Sequence, residues 1–419
     1  MVSVCSKSTV VGCLILALTQ FGSVQPGFWS SIATTIHALA GKMVDMVAHP
    51  YSNVTEVIQS PTTKALCRRN TDQLIEYYGY QSEVHHITTK DGYILTVFRC
   101  NSNKAFSGNK KAVILQHGLL GSSDDFTVNI PSQALAYILA DNGYDVFMPN
   151  SRGTFYSQQH VTLNTSDSQF WNFSWYELAI YDYPAVIDYV RHETGNSKVL
   201  VVAHSQGTTT LMALLAELPE YNQYIAAASL MAPVGYLDNS GLIFSTLGKV
   251  NPILELFQYT EFLPRAGFSD ISKSFCSMDA IDFCDLILDQ LFGQSIDQRN
   301  DTMMTSFLCK IPSGAATMQF IHFGQEMNYG FFGKYMNGSR IPDDFDLSRI
   351  SVPISFHYSP IDKFTNPKDV SRLISKLNHT LAFVQTVDSP KFNHIDFVWG
   401  KHAATIVYSK ILEFFAKYQ

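Results

Sequence analysis

The sequence predicts an α/β protein with a mostly parallel central sheet, helices on both faces of the sheet and a large, mainly helical insertion. Two observations carry this prediction. Apolar runs of strand length alternate with helix-length segments from residue 82 to about 235, and the alternation resumes near residue 350. Between these parts lies a stretch rich in aromatic residues and methionine that is far longer than a typical loop.

The alternation can be followed element by element. Two strand-like runs joined by Asp91-Gly92 predict a β-hairpin. The uninterrupted apolar run AVILQ at 112–116 is typical of a strand buried on both faces. Further strands are expected at YDVFMP, KVLVVAH, IAAASLMAP, PISFHYS and TLAFVQTV, and helices at 131–141, 174–193, 206–218, 367–376 and 402–417.

The first residues are typical of a secretory signal peptide. Lys7 precedes the apolar run 10–18, which is too short to cross a bilayer, and no other stretch is long and apolar enough for a stable transmembrane segment. Six Asn-x-Ser/Thr sequons are candidate glycosylation sites that fit a secretory route, with secretion expected and a lysosomal destination as the alternative. They are Asn53, Asn164, Asn172, Asn300, Asn337 and Asn378.

Composition excludes several classes of protein. The chain is 46% hydrophobic and 16% charged, which is unlike a disordered protein. Its net charge of −7 offers no long-range attraction for nucleic acid, so no nucleic-acid partner is expected. No cysteine or histidine spacing indicates a metal site, and the oligomeric state is left open.

Five cysteines lie beyond the signal peptide, an odd number for an oxidising compartment. Cys276 and Cys284 are near neighbours in one segment and are the candidate disulfide pair. The alternative is that all five are buried thiols. The pairing of Cys67, Cys100 and Cys309 is left open.

Ser205 lies in the stretch VVAHSQG, where a predicted buried strand meets a predicted helix. Such a turn forces the serine into a strained conformation, so the residues two before and two after it must be small. Ala203 and Gly207 meet this need. The context favours Ser205 as a nucleophile, with the N-terminus of the following helix facing the developing negative charge.

A nucleophilic serine needs a base, and the base needs a carboxylate that holds its tautomer. Around a sheet of this kind they follow the serine in the order acid, then histidine. Asp362 follows the strand PISFHYS, and His394 lies in the loop between the last strand and the last helix. Asp388 is a rival for the acid because it also follows a strand, whereas Asp369 is expected to be a first-turn helix residue.

The oxyanion of acyl transfer needs two backbone N–H donors. Gln206, directly after the nucleophile, is expected to supply one. The other is expected from Leu119 in the loop QHGLLGS, where Gly118 lets the backbone turn. His117 is expected to shape this loop through a hydrogen bond.

Several ordered motifs, spread from about Pro61 to the C-terminus, together resemble one family. They include LQHGLLGSSDDF, NGYDVFMPNSRGTFYS, HSQGTTT, NPKDV and FNHIDFVW. The chain resembles the acid lipase family of α/β-hydrolases, the gastric and lysosomal acid lipase type. The family's nucleophile, acid and base fall on Ser205, Asp362 and His394, and its oxyanion donors on Leu119 and Gln206.

This resemblance implies hydrolysis of triacylglycerols or sterol esters at an oil–water or membrane interface, without metal or organic cofactor. It also implies that the insertion is a cap and lid, whose paired cysteines resemble Cys276 and Cys284. Two positions depart from the family pattern: Ala203 replaces the usual first Gly, and Asn366 stands where Asp is common. The alternatives are a carboxylesterase on smaller esters and a catalytically weak lipid-binding protein.

The predicted organisation has five parts. They are a signal peptide at 1–25, an N-terminal extension or propeptide at 26–62, the first part of the hydrolase core at 63–235, the cap and lid at 236–350, and the second part of the core at 351–419.

Overall fold

A computed structural model gives the fold. It describes residues 61–106, 108–240, 251–252, 254–265, 289, 292–295, 297–387 and 391–418. The expected signal peptide and nearly all of the expected extension therefore lie outside the described residues, as do Cys276, Cys284 and Asn53.

A nine-stranded mixed sheet forms the centre of the described chain. The described strands are β1 (Gln81–Thr88), β2 (Tyr93–Asn101), β3 (Ala112–Gln116), β4 (Asp145–Pro149), β5 (Gln159–His160), β6 (Val199–His204), β7 (Ile225–Met231), β8 (Glu261–Phe262), β9 (Ala315–Ala316), β10 (Ile354–Tyr358) and β11 (Leu381–Thr386). The order in the sheet is β1-β2-β4-β3-β6-β7-β10-β11, with β5 paired to β2. Strands β4, β3, β6, β7, β10 and β11 are parallel to one another, and the β1–β2 hairpin and β5 add antiparallel pairs at one edge. The mostly parallel sheet is thus confirmed.

Helices cover both faces of the sheet because the central strands are apolar on both faces. In β6, Val201 packs into one core cluster, whereas its neighbours Leu200 and Val202 pack into the other. Side chains of adjacent strand residues point to opposite faces, so an uninterrupted apolar strand needs a cover on each side. The helices are α1 (Pro61–Arg68), α2 (Thr71–Tyr77), α3 (Leu135–Asp141), α4 (Trp175–Glu177), α5 (Tyr183–Thr194), α6 (Gln206–Glu217), α7 (Asp301–Leu308), α8 (Thr317–Tyr329), α9 (Pro367–Leu377), α10 (Asp396–Trp399) and α11 (Ser409–Phe415).

The single helix expected at 174–193 contains a wider turn. A π-helical turn, Leu178–Asp182, separates α4 from α5. Pro184 follows at the start of α5 and has no N–H to donate to the preceding turn, so the regular hydrogen-bond ladder is interrupted there. The last expected helix likewise begins as a π-helical turn, Ala404–Tyr408, before α11.

The residues between β7 and β10 are here called the β7–β10 insertion (232–353), and the cap and lid predicted at 236–350 lie within it. Its described part contains α7, α8 and a small two-stranded sheet of β8 and β9. Because the central strands are parallel, their carboxyl ends meet at one edge of the sheet, and the loops there carry the candidate site.

Candidate active site

Ser205 occupies a sharp turn between the end of β6 and the first residue of α6. Its backbone angles are φ 53° and ψ −123°, a conformation that costs a non-glycine residue about 1–3 kcal/mol. A Cβ atom at Gly207 would lie 2.8 Å from the backbone oxygen of Gln116. Position 207 must therefore be glycine for the turn to pack against β3, in agreement with the small residue that the sequence pattern requires there.

His394 lies between Ser205 and Asp362, within hydrogen-bond distance of both. Its Nε2 is 2.8 Å from Ser205 Oγ, and its Nδ1 is 2.7 Å from Asp362 Oδ2. An ionised carboxylate only accepts hydrogen bonds, so Nδ1 carries the proton and Nε2 is left to accept the proton of the Ser205 hydroxyl. The three side chains come from separate loops that the fold brings together, and along the chain they follow the expected order of serine, acid and histidine.

Asp362 is held in its charged form by its surroundings. Its Oδ1 accepts hydrogen bonds from the backbone N–H groups of Phe364 and Thr365, at 2.7 and 3.1 Å. Burial alone would raise the pKa of Asp362, but His394 and the hydrogen bonds from Thr365 outweigh burial and hold the pKa below its ordinary value. The carboxylate can therefore orient His394 and stabilise its positive charge.

The two expected oxyanion donors lie beside Ser205. Gln206 is the first residue of α6, where a backbone N–H has no partner within the helix. Leu119 is the second residue of a turn closed by the hydrogen bond from Gly121 N to Gly118 O at 3.1 Å, which leaves the Leu119 N–H unused by the turn. Gln206 and Leu119 both line the cavity that Ser205 faces.

His117 has the role in loop shape that was expected of it. Its Nδ1 donates to the carbonyl of Gly118 at 2.8 Å, and its Nε2 accepts from Ser151 N at 3.1 Å. Burial lowers the pKa of His117 to about 4, which keeps the ring neutral and suited to this donor–acceptor pattern.

Ser205 and His394 open onto an apolar cavity of about 350 Å³, together with the loop 116–122 that carries Leu119, here called the oxyanion loop. Its wall combines core loops with side chains of the β7–β10 insertion, including Leu237, Leu263, Phe320, Phe323 and Met327. An apolar cavity with a few polar groups at one point is typical of a site for an apolar ligand. A larger surface depression of about 560 Å³, lined by Lys198, Glu220 and Tyr418 among others, contains none of the candidate catalytic groups.

Asp125 is a buried carboxyl on the wall of the apolar cavity beside Ser205. It lies in the motif LQHGLLGSSDDF, but the sequence alone assigns it no role. Burial, followed by the charge of Asp124, raises the pKa of Asp125 to about 7. The nearby cation Arg265 pairs with Asp124 instead, at 2.9 Å. Below that pH, Asp125 carries its proton and presents a neutral hydroxyl-bearing group.

The remaining predicted site residues are distributed as follows. Asn164, Asn172, Asn337 and Asn378 are exposed, as glycosylation requires, and Asn300 is half-buried with its amide hydrogen-bonded to Gln133. Asp369 lies in the first turn of α9, and its carboxylate accepts a hydrogen bond from the Asn239 amide. Asp388 lies outside the described residues.

The described chain contains a disulfide that the sequence left open, between Cys67 in α1 and Cys309 directly after α7. Cys100 is a buried free thiol in β2. Across the described residues, no cluster of three His, Cys, Asp or Glu side chains has the geometry to hold a metal ion. The described helices are all too short or too polar to span a bilayer.

Two protein-family models match the chain. The first, described as "Partial alpha/beta-hydrolase lipase region", matches residues 71–130. The second, described as "alpha/beta hydrolase fold", matches residues 111–303. A crystal structure of a putative lipase from Sulfolobus solfataricus shares the fold at a TM-score of 0.59 and 16% identity, over 81% of this chain and 95% of that chain.

Relatives with higher identity match most of their own length. "Lipase 3" of Drosophila melanogaster is 36% identical over 82% of this chain and 92% of its own. "Gastric triacylglycerol lipase" of Bos taurus is 31% identical over 83% and 91%. "Lysosomal acid lipase/cholesteryl ester hydrolase" of Homo sapiens is 31% identical over 84% and 91%. With the fold and the geometry around Ser205, these matches place the chain in the acid lipase family of α/β-hydrolases, as a carboxylic ester hydrolase.

Proposed function

We propose that this enzyme hydrolyses the carboxylic esters of neutral lipids, triacylglycerols or sterol esters, through a covalent acyl-enzyme on Ser205. The observation that carries the proposal is the hydrogen-bonded chain Ser205–His394–Asp362 at the wall of an apolar cavity. Two of the relatives are named as a triacylglycerol lipase and a cholesteryl ester hydrolase, and these names support the substrate class.

In the first half-reaction, the Ser205 hydroxyl attacks the ester carbonyl while His394 Nε2 takes its proton. The N–H groups of Leu119 and Gln206 hold the oxyanion of the tetrahedral intermediate. The intermediate collapses, the C–O bond to the alcohol breaks, and the alcohol leaves with the proton from His394. Water then attacks the acyl-enzyme by the same route and releases the fatty acid and free Ser205.

Residues 236–350 are proposed to act as the cap and lid of this site. Phe320, Phe323 and Met327 of α8 contribute apolar surface to the cavity, so an acyl chain bound there would lie against the insertion. We also propose that the enzyme acts at an oil–water or membrane interface after passing through the secretory pathway. The Cys67–Cys309 disulfide supports an oxidising compartment.

The test is a substrate panel on the full chain, run against pH. It contains emulsified trioleoylglycerol, cholesteryl oleate and short-chain p-nitrophenyl esters. Ser205→Ala should abolish turnover of each, and Ser371→Ala, which removes an exposed hydroxyl of α9, should not. Activity on the soluble esters alone would indicate a small-ester carboxylesterase. Equal rates for Ser205→Ala and the parent would contradict the nucleophile assignment.

A further inference from the structure

The turn that carries Leu119 also holds a residue in an unfavourable backbone conformation. Leu120, the next residue, has a φ of 61°. A leucine rarely adopts the left-handed region, because its Cβ crowds the following carbonyl. Such conformations persist where the surrounding structure holds them in place. The contacts of Leu120 therefore help to hold the turn that carries the Leu119 N–H.

The backbone carbonyl of Leu120 is held from the β7–β10 insertion. It accepts a hydrogen bond of 2.7 Å from the N–H of Ser313. The carbonyl of Ser313 in turn accepts one of 2.7 Å from the N–H of Phe155, in the loop after β4. The residues before Ser313, Ile311 and Pro312, line the cavity. The backbone of Ser313 thus connects the oxyanion loop to a second loop of the core.

The segment that carries Ser313 is covalently bonded to α1 at Cys309, four residues before Ser313. Cys309 is 4% exposed and forms the disulfide with Cys67 of α1. The next residue, Lys310, is 2% exposed, and its ammonium group donates to the backbone carbonyls of Cys67 and Arg69 at the end of α1. A lysine at this point also interacts favourably with the C-terminal end of the helix. The disulfide of Cys309 and the buried ammonium group of Lys310 therefore both hold the start of this segment against the end of α1.

We propose that the Cys67–Cys309 disulfide is a positioning element for the oxyanion loop, acting through the Ser313 N–H and the Leu120 carbonyl. The disulfide fixes the start of the segment, the segment presents Ser313 to Leu120, and Leu120 sets the direction of the Leu119 N–H. This inference rests on the proposed function, because it assigns the role to the same ester-hydrolysing site. A backbone N–H cannot be deleted by changing its side chain, so the disulfide is the part that mutation can remove.

The experiment compares the full-length parent with the double variant Cys67→Ser/Cys309→Ser on the water-soluble ester p-nitrophenyl butyrate. Deleting an oxyanion donor typically costs about 100- to 1000-fold in kcat, and displacing one costs less. The expected result is a kcat about 3- to 30-fold below that of the parent, with a KM within about twofold of the parent value.

A second readout separates this role from a purely structural one. An alkyl trifluoromethyl ketone accepts Ser205 Oγ at its carbonyl carbon, and its oxygen becomes the oxyanion while His394 takes the serine proton. Its Ki should rise in the double variant by about the factor by which kcat falls, because it resembles the transition state. The Ki of the matching alkyl ether, which forms no oxyanion, should stay within about twofold.

The control variant is Cys100→Ala, which also removes a buried sulfur from the core but lies in β2, outside the disulfide and the oxyanion loop. Its kcat should match that of the parent. Should the double variant fail to fold, dithiothreitol treatment of the folded parent and of Cys100→Ala, below their unfolding temperatures, provides the comparison. A kcat and a ketone Ki equal to those of the disulfide-bonded parent would overturn the inference, even if the melting temperature fell. A parent without esterase activity would overturn both the inference and the proposed function.

Discussion

Nε2 of His204 donates a hydrogen bond of 3.0 Å to the backbone carbonyl of His394. His204 directly precedes the candidate nucleophile Ser205, so this hydrogen bond links the nucleophile turn to the backbone of the candidate base. A carbonyl oxygen only accepts, which places the His204 proton on Nε2. Burial, followed by the charge of His394, lowers the pKa of His204 to about 3. The His204 imidazole therefore stays neutral and adds no positive charge beside the imidazole of His394.

This contact predicts a role for His204 in positioning the base. His204→Phe keeps a ring of similar size but loses the donor, so the loop that carries His394 should shift relative to Ser205. A misplacement of about 1 Å can cost about 100-fold in rate. We expect kcat on p-nitrophenyl butyrate to fall about tenfold, with a smaller change in KM, and His204→Gln to recover part of the loss through its amide N–H. Equal kcat values for the Phe variant and the parent would show that the contact is dispensable.

A second prediction concerns the carboxylate of Asp362. Asp362→Asn preserves the size of the side chain but removes the acceptor that holds the His394 proton on Nδ1. The histidine then adopts the wrong tautomer, and kcat should fall by about 10⁴-fold. Asp369→Asn is the matched control, since it changes a buried carboxyl in α9 that binds Asn239. A loss of less than tenfold for Asp362→Asn would assign the acid to another residue.

The third prediction concerns stability against pH. Burial raises the pKa of Asp396 to about 7, although Ser295 Oγ and Asn393 N donate to its carboxyl. The unfolded chain loses this proton near pH 4, whereas the folded chain keeps it until about pH 7. The contribution of Asp396 to stability is therefore fully present below about pH 4 and is lost as the pH rises through about 7, by at most about 4 kcal/mol.

Urea unfolding between pH 4 and pH 8 measures this effect. Asp396→Asn, whose amide resembles the protonated acid, should make the decline of the unfolding free energy with pH shallower. Asp343→Asn, with a side chain that is 98% exposed, should reproduce the slope of the parent. If the parent and Asp396→Asn showed the same slope, Asp396 would have to be ionised in the folded protein.

A fourth prediction concerns the turn at Ser205. In Gly207→Ala the new methyl carbon would lie within 3 Å of the backbone oxygens of Gln116 and His117. These backbone atoms cannot rotate away, so β3 and α6 must separate at a cost of about 1–3 kcal/mol. We expect a lower melting temperature and a lower kcat together, measured by calorimetry and on p-nitrophenyl butyrate. A variant with the parent's values for both would mean that the packing at Gly207 is looser than the distances indicate.

The parts of the site that depend on neighbouring residues or on the parallel strand topology could be predicted from the sequence. The turn at Ser205 depends on neighbours two residues away, which the sequence displays directly. Asp362 and His394 could be chosen because parallel strands bring their following loops to one edge of the sheet. The positions of Leu119 and Gln206 follow from the same topology, and the structure places both beside Ser205.

Features that depend on long-range packing could not be predicted in this way. Cys67 and Cys309 are 242 residues apart, and no local pattern indicates that α1 lies against the insertion. No local pattern around Asp125 indicates that it is buried beside the cavity, because its burial depends on how the surrounding segments pack. The contact of His204 with His394 likewise depends on the loop that returns beside β6.

The order of the strands has a consequence for the timing of activity. Asp362 and His394 follow β10 and β11, the last of the described strands and the outermost at their edge of the sheet. A growing chain that has completed β7 already contains the proposed nucleophile and both proposed oxyanion donors, but it contains neither the proposed acid nor the proposed base. Ester hydrolysis must therefore wait until the final segment of the chain has been made, and a product truncated before that segment would lack the acid and the base and should hydrolyse no ester.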